Sequence, residues 1–208
     1  MNRESTPAVN PFSTKFIRPA CMSDYLVSGR EPFTLWQRFR DAGLVGQIVG
    51  QHGSGKSTLL WRLTDIMANE QISSYWQTFC RHDRLTSPPM RANVHVLEGV
   101  EWLSTFDRLR LRFRSWSGRR MLLTTHEPLP GIPVIANIES SLDVALEIVA
   151  HLLKDDGTNH ICPTDVQWLF EKNDGNLREM LMDLYDVYAA GGRDKMATKD
   201  EDRHLNYR

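Results

Sequence analysis

Short apolar runs alternate with stretches of helical periodicity over the first two thirds of the chain. We predict strands at five runs, residues 45–49, 71–80, 93–97, 120–124 and 132–138. A helix is predicted from residue 56 to about 69, directly after the first run, and a long helix lies between the third and fourth runs. This alternation favours an α/β fold in which a mainly parallel sheet is covered by helices on both faces.

The pattern changes near residue 140, after which only helical periodicity remains. The predicted helices there cover residues 142–153, 163–171 and 176–189. We therefore divide the chain into an extended lead-in (1–30), an α/β core (31–140), a small helical region (141–190) and a tail (191–208). The tail is glycine-led and charged, and we expect it to be disordered.

The segment 102–116 carries two competing patterns. Its central letters, RLRLRFR, alternate as in a strand, but five large apolar residues recur at intervals of four and three, which predicts a helix. These residues are Trp102, Phe106, Leu109, Phe113 and Trp116. Arginines at 108, 110, 112 and 114 flank this stripe. Two interpretations of the arginines stay open, a solvated helix surface and a docking strip for nucleic acid or a partner subunit.

Composition narrows the class of protein. The 208 residues are 41% hydrophobic and 25% charged, which is typical of a globular domain, and the net charge of −1 gives no overall attraction to nucleic acid or to a membrane. No run approaches the ~20 apolar residues of a membrane span, and the polar N-terminus does not resemble a secretory signal. The three cysteines lack metal-ligand spacing. We expect reduced thiols in a cytoplasmic protein.

The candidate chemistry begins at the letters GQHGSGKS, residues 50–57, a Gly-x-x-x-x-Gly-Lys-Ser pattern between a predicted strand and a predicted helix. Glycines let backbone N–H groups curl around a phosphate, Lys56 supplies positive charge, and the Ser57 hydroxyl suits Mg2+. The residues expected to hold a nucleotide are Gly50, Gln51, His52, Gly53, Ser54, Gly55, Lys56, Ser57 and Thr58.

Further candidate residues lie at and just after the ends of the third and fourth strands. Glu98 ends the third strand and is expected to join Ser57 in holding Mg2+. Glu101 either orients an attacking water or favours the N-terminus of the long helix by its charge, and both interpretations stay open. The fourth strand ends in Thr124, Thr125 and His126, whose polar groups are expected to face a γ-phosphate.

Arg178 follows Gly175 and Asn176 at the start of the last helix. Asn176 or Gly175 is expected to cap that helix. The helix dipole does not favour a cation in the first turn, so an anion elsewhere, such as a phosphate, is one explanation for the arginine. An ordinary surface arginine is the other.

This order of motifs resembles the AAA+ ATPases and their signalling relatives, P-loop proteins with an additional strand between the phosphate-loop strand and the acidic strand. The resemblance covers about residues 30–190. It implies a three-layer P-loop fold with sheet order 5-1-4-3-2 and a small helical lid. It also implies that Gly50 to Ser57 is the Walker A motif and Glu98 the Walker B acid. Thr125 or His126 would then be sensor 1, and Arg178 sensor 2.

Three departures from that pattern bear on activity. Glu98 replaces an aspartate, Gly99 stands where a catalytic glutamate usually follows, and the helical lid is short. The resulting hypothesis is an ATP-binding protein with slow or regulated Mg2+-dependent hydrolysis, acting as a switch or a motor subunit. It would bind ATP and ADP, and a protein partner or a second copy of the chain is a further candidate for binding. The alternatives are a small-molecule or nucleotide kinase, a GTP-binding switch and a non-hydrolysing ATP-binding scaffold.

Overall fold

The structure, a computed structural model, describes residues 10–19, 31–87, 92–154 and 160–192. Residues 193–208, most of the predicted tail, lie outside the described residues, as do Cys21 and most of the predicted lead-in. Cys80 and Cys162 are exposed free thiols, in line with the expectation for them.

The described chain forms two compact units. One combines the described parts of Met1–Cys21 and Ser140–Arg208, and the other is the described part of Met22–Glu139. The helical unit contains α1, Thr14–Ile17; α5, Leu142–Leu152; α6, Pro163–Lys172; and α7, Leu177–Ala190. The α/β unit contains helices α2, Pro32–Asp41; α3, Lys56–Asn69; and α4, Thr105–Trp116, with a 3-10 turn at Val100–Trp102. No helix among the described residues is both long and apolar enough to span a bilayer.

Five parallel strands form the sheet of the α/β unit. They are β1, Val45–Gly50; β2, Ser74–Thr78; β3, Val94–Glu98; β4, Met121–Thr125; and β5, Val134–Ile138. Their spatial order is β2-β3-β4-β1-β5, and every pairing is parallel. The predicted order 5-1-4-3-2 is therefore confirmed. Because the strands are parallel, the carboxyl ends of β1, β3 and β4 lie at the same edge of the sheet.

Both faces of the sheet are buried, as the near-continuous apolar strands predict. Leu122 of β4 packs in one cluster with residues of α2 and α3, among them Trp36 and Leu60. Its neighbour Leu123 points to the opposite face and packs in a second cluster with Leu111 of α4. These two clusters confirm the three-layer α/β architecture.

A buried polar side chain fixes the connection between β4 and β5. Gln47 of β1 is 0% exposed, and its Nε2 donates to the carbonyl oxygens of Leu129 at 3.0 Å and Ile132 at 2.7 Å. Its Oε1 accepts from the Leu129 backbone N–H at 2.8 Å. These bonds attach the segment between β4 and β5 to β1.

The described part of the lead-in is not extended chain, so that prediction is wrong there. It contains α1, and Phe12 just before it is 1% exposed and meets Tyr188 edge to face, with ring centroids 6.0 Å apart. Asn10 Nδ2 also donates to the Tyr185 carbonyl oxygen at 2.9 Å. Burial of an aromatic ring anchors this segment to α7 within the helical unit.

Candidate nucleotide-binding site

The predicted phosphate loop connects β1 to α3 at the carboxyl edge of the sheet. Gly50 is the last residue of β1, and a Cβ atom there would lie 2.3 Å from the carbonyl oxygen of Ile138 in β5. No side chain fits at that separation, so glycine is required. Gly53 and Gly55 have φ angles of 73° and 96°, a left-handed conformation that glycine adopts without steric cost. The loop is therefore a tight turn against β5.

Lys56, the first residue of α3, is enclosed by the loop. Its ammonium Nζ donates to the carbonyl oxygens of Gly50 at 2.7 Å and Gln51 at 2.6 Å, and the residue is only 8% exposed. A buried ammonium needs such partners, because its desolvation is costly. The structure thus holds one positive charge inside the curl of the loop, beside the N-terminus of α3.

Glu98 joins the phosphate loop to the ends of two strands. The hydroxyl of Ser57 donates to one carboxylate oxygen of Glu98, and Thr78 Oγ1 donates to the other at 3.2 Å. Thr78 lies opposite Glu98 in the parallel register of β2 and β3. These hydroxyl and carboxylate oxygens are the hard ligands that Mg2+ prefers. Thr78 belongs to no sequence motif, and the register of β2 and β3 identifies it as the neighbour of Glu98.

The two threonines of the β4 tip are occupied by local hydrogen bonds. Thr124 Oγ1 accepts from the Gly99 N–H at 3.0 Å, and Thr125 Oγ1 donates to the Glu127 carbonyl oxygen at 3.0 Å. Both residues are buried. Among Thr124, Thr125 and His126, it is therefore the His126 side chain that contacts other residues of the candidate site.

His126 meets Glu101 and His52. Its Nε2 lies 3.0 Å from Glu101 Oε1 and 3.4 Å from His52 Nδ1. Glu101 is in the 3-10 turn, whereas α4 begins four residues later at Thr105, with Ser104 as its cap. Of the two interpretations of Glu101, the one that places it at the N-terminus of the long helix is therefore wrong.

Burial lowers the pKa of His126 below its usual value, and the Glu101 carboxylate opposes that shift. The nearby Lys56 ammonium and electrostatic repulsion from His52 lower the pKa of His126 further. These effects favour the neutral imidazole. A neutral ring can form a hydrogen bond to a phosphate or a water, but it does not supply the charge that a lysine or arginine would supply there.

Arg178 lies in the helical unit, in the first turn of α7. The predicted cap is confirmed for Asn176, whose Oδ1 accepts from the backbone N–H groups of Arg178 at 3.1 Å and Glu179 at 3.3 Å. The Arg178 side chain is exposed. Its role toward a nucleotide stays a prediction.

The apolar stripe of residues 102–116 does not pack into the core. The helix is confirmed over Thr105–Trp116, but Trp102 falls in the preceding 3-10 turn, so only four of the five stripe residues lie on the helix. All five are exposed, between 43% and 69%, while Asp107 and Leu111 face the interior. Arginines stack on this stripe, with Arg110 near Phe106 and Arg112 near Trp116. A docking role for the stripe stays a prediction.

Comparison with known proteins gives similarity in structure only. No family model matches the chain, and no curated protein matches its sequence. A crystal structure of a DNA replication initiation factor matches with a TM-score of 0.58 at 14% identity, over 86% of this chain and 67% of that one. A replication initiator DnaA bound to AMPPCP and single-stranded DNA matches with a TM-score of 0.59 at 14% identity, over 87% and 68%.

Domain III of the Thermotoga maritima replication initiation protein DnaA matches with a TM-score of 0.52 at 14% identity, over 79% of this chain and 85% of that one. At this level of identity the likeness establishes the fold. The chain shares the three-layer α/β fold of these replication initiation proteins, with its five-stranded parallel sheet.

Proposed function

We propose that this chain binds ATP with Mg2+ and hydrolyses it slowly or under control, as a nucleotide switch or a motor subunit. One observation carries the proposal: the loop encloses Lys56 and places Ser57 against Glu98. The likeness in fold to an initiator bound to an ATP analogue supports it.

The residues present fit a Mg2+–nucleotide. The N–H groups of the first turn of a helix lack carbonyl partners within that helix, so Lys56, Ser57 and Thr58 of α3 can donate to phosphate oxygens. The ammonium of Lys56 adds charge at the same place. Ser57 and Glu98 would hold Mg2+, which neutralises phosphate charge when it is bound.

The groups around the site favour slow hydrolysis. Gly99, at the position after Glu98, has a φ of 78° and turns the chain, so that Glu101 is the next carboxylate along it. We propose that Glu101 orients the attacking water and that neutral His126 forms a hydrogen bond near the terminal phosphate. Because Glu101 already contacts His126, its availability depends on that contact.

Lys56→Ala should weaken binding of a fluorescent ATP analogue at least tenfold, about 1.4 kcal/mol, because it removes the charge from the loop while keeping the glycines. Fluorescence titration of wild type and variant measures this. Lys154→Ala, which removes an exposed lysine from the helical unit, is the matched control and should bind as wild type. Equal affinities for wild type and Lys56→Ala would refute the assignment of the phosphate loop.

Glu98→Gln should reduce Mg2+-dependent phosphate release at least tenfold and leave nucleotide binding largely intact, because it removes a ligand charge with little change in shape. Steady-state phosphate release with ATP measures the effect, with Glu171→Gln on α6 as the control. A wild-type rate in Glu98→Gln would show that β3 does not supply the metal ligand.

Nucleotide-competition and phosphate-release assays on the wild-type protein distinguish the alternative functions. GTP that competes as well as ATP would indicate a guanine-nucleotide switch. Phosphate transferred to an acceptor, and not released, would indicate a kinase. Binding without release of phosphate would indicate the non-hydrolysing scaffold.

Arg178→Ala should weaken ATP binding more than ADP binding, since we propose that this guanidinium contacts the terminal phosphate in a charge-assisted pair of ~1.5–3 kcal/mol. Limited proteolysis within residues 140–190 should then lose its ATP-versus-ADP difference. Lys172→Ala, which breaks the exposed pair with Asp183, tests for a general effect on the helical unit. A wild-type difference in Arg178→Ala would identify Arg178 as a surface residue.

A further inference from the structure

Three potential metal ligands from separate segments converge beside the phosphate loop. His52 is in the loop, Glu101 is in the 3-10 turn after β3, and His126 follows β4. One ligand atom from each lies within 4.8 Å of the other two. The two separations that involve His126 Nε2 are 3.0 Å to Glu101 Oε1 and 3.4 Å to His52 Nδ1.

These separations match a metal coordination sphere. Zinc binds nitrogen and oxygen ligands at about 2.0–2.1 Å, and a tetrahedral arrangement at that length places its ligands about 3.3–3.4 Å apart. Two histidines and one glutamate form a known three-ligand set for zinc that leaves a position open. Two of the three separations are thus close to those of a zinc site, and all three ligand atoms lie within 4.8 Å of one another.

Hydrogen bonding within the cluster leaves its groups incompletely satisfied. A single ring nitrogen carries at most one N–H, so Nε2 of His126 can donate to Glu101 or to His52 but not to both. Glu101 Oε2 is buried and has no hydrogen-bond partner among the described residues. A buried carboxylate oxygen without a partner is costly. One cation in contact with Glu101 and both histidines would satisfy these lone pairs together.

We infer that His52, Glu101 and His126 form a binding site for a divalent transition-metal ion of the zinc type. Imidazole ligands select such ions, whereas Mg2+ prefers the oxygen ligands found at Ser57 and Glu98. The two sites therefore differ in chemistry. His52 is exposed, and the side chain of His126 is 34% exposed, so an ion can enter from solvent.

Metal binding here connects the phosphate loop to the tip of β4. The ion is coordinated by His52 of the loop and by His126. It is also coordinated by Glu101, the carboxylate that we propose orients the attacking water. The inference itself does not require nucleotide binding, because His126 contacts both of the other ligands within the protein.

Titration of metal-free protein with Zn2+ by calorimetry, without nucleotide or Mg2+, tests the site. We expect one equivalent per chain, and we expect Co2+ to give the intense visible absorption of a four-coordinate site. His52→Ala, His126→Ala and Glu101→Gln should each weaken Zn2+ at least tenfold. Circular dichroism and thermal melting without metal will establish that each variant is folded.

His160→Ala is the matched control, because His160 is exposed and lies two residues from the free thiol of Cys162, a possible accidental zinc site. It should bind Zn2+ as wild type. The inference is overturned if Zn2+ does not bind stoichiometrically. It is equally overturned if the three cluster variants keep wild-type affinity, or if His160→Ala alone loses it. ATP binding by the metal-free protein, measured separately, distinguishes this failure from failure of the proposed function.

Discussion

The candidate site depends on the contact between Ser57 and Glu98. Ser57 belongs to the phosphate loop after β1, and Glu98 ends β3, two strands away across β4. The contact forms because all five strands are parallel and the carboxyl ends of β1, β3 and β4 meet at one edge. Thr78, at the end of β2, adds a second hydrogen bond to the same carboxylate. The ends of β2 and β3 and the loop after β1 therefore meet at the oxygen atoms of Thr78, Glu98 and Ser57.

Around this edge the protein places two kinds of ligand chemistry close together. Oxygen ligands lie at Ser57 and Glu98, while imidazole nitrogens and a carboxylate lie at His52, Glu101 and His126. Gly99 lies between Glu98 and Glu101 in the sequence, and its N–H donates to the Thr124 hydroxyl at 3.0 Å. Glu101, the carboxylate that we propose orients the attacking water, contacts His126. Control of hydrolysis would then act through release of that carboxylate.

Much of the fold follows from the sequence alone. The start and end of α3 could be predicted, because apolar runs and the phosphate-loop pattern are local signals. The strand order was implied by the resemblance to the AAA+ ATPases, and the strand pairings confirm it. The sequence did not show whether the apolar stripe of α4 faces the core or the solvent. Periodicity shows which residues share a face, but the packing of Leu111 and Asp107 decides which face is buried. Gln47, Thr78 and His52 have their partners far away in sequence, so their contacts appear only once the chain is folded.

The most direct test is a crystal structure with a non-hydrolysable ATP analogue and Mg2+. We expect the phosphates to lie within residues 50–58, with the Lys56 ammonium bonded to a phosphate oxygen in place of the carbonyl oxygens of Gly50 and Gln51. We also expect Mg2+ beside Ser57 and Glu98. An analogue bound elsewhere, with Lys56 still bonded to both carbonyls, would show that this loop does not bind the nucleotide.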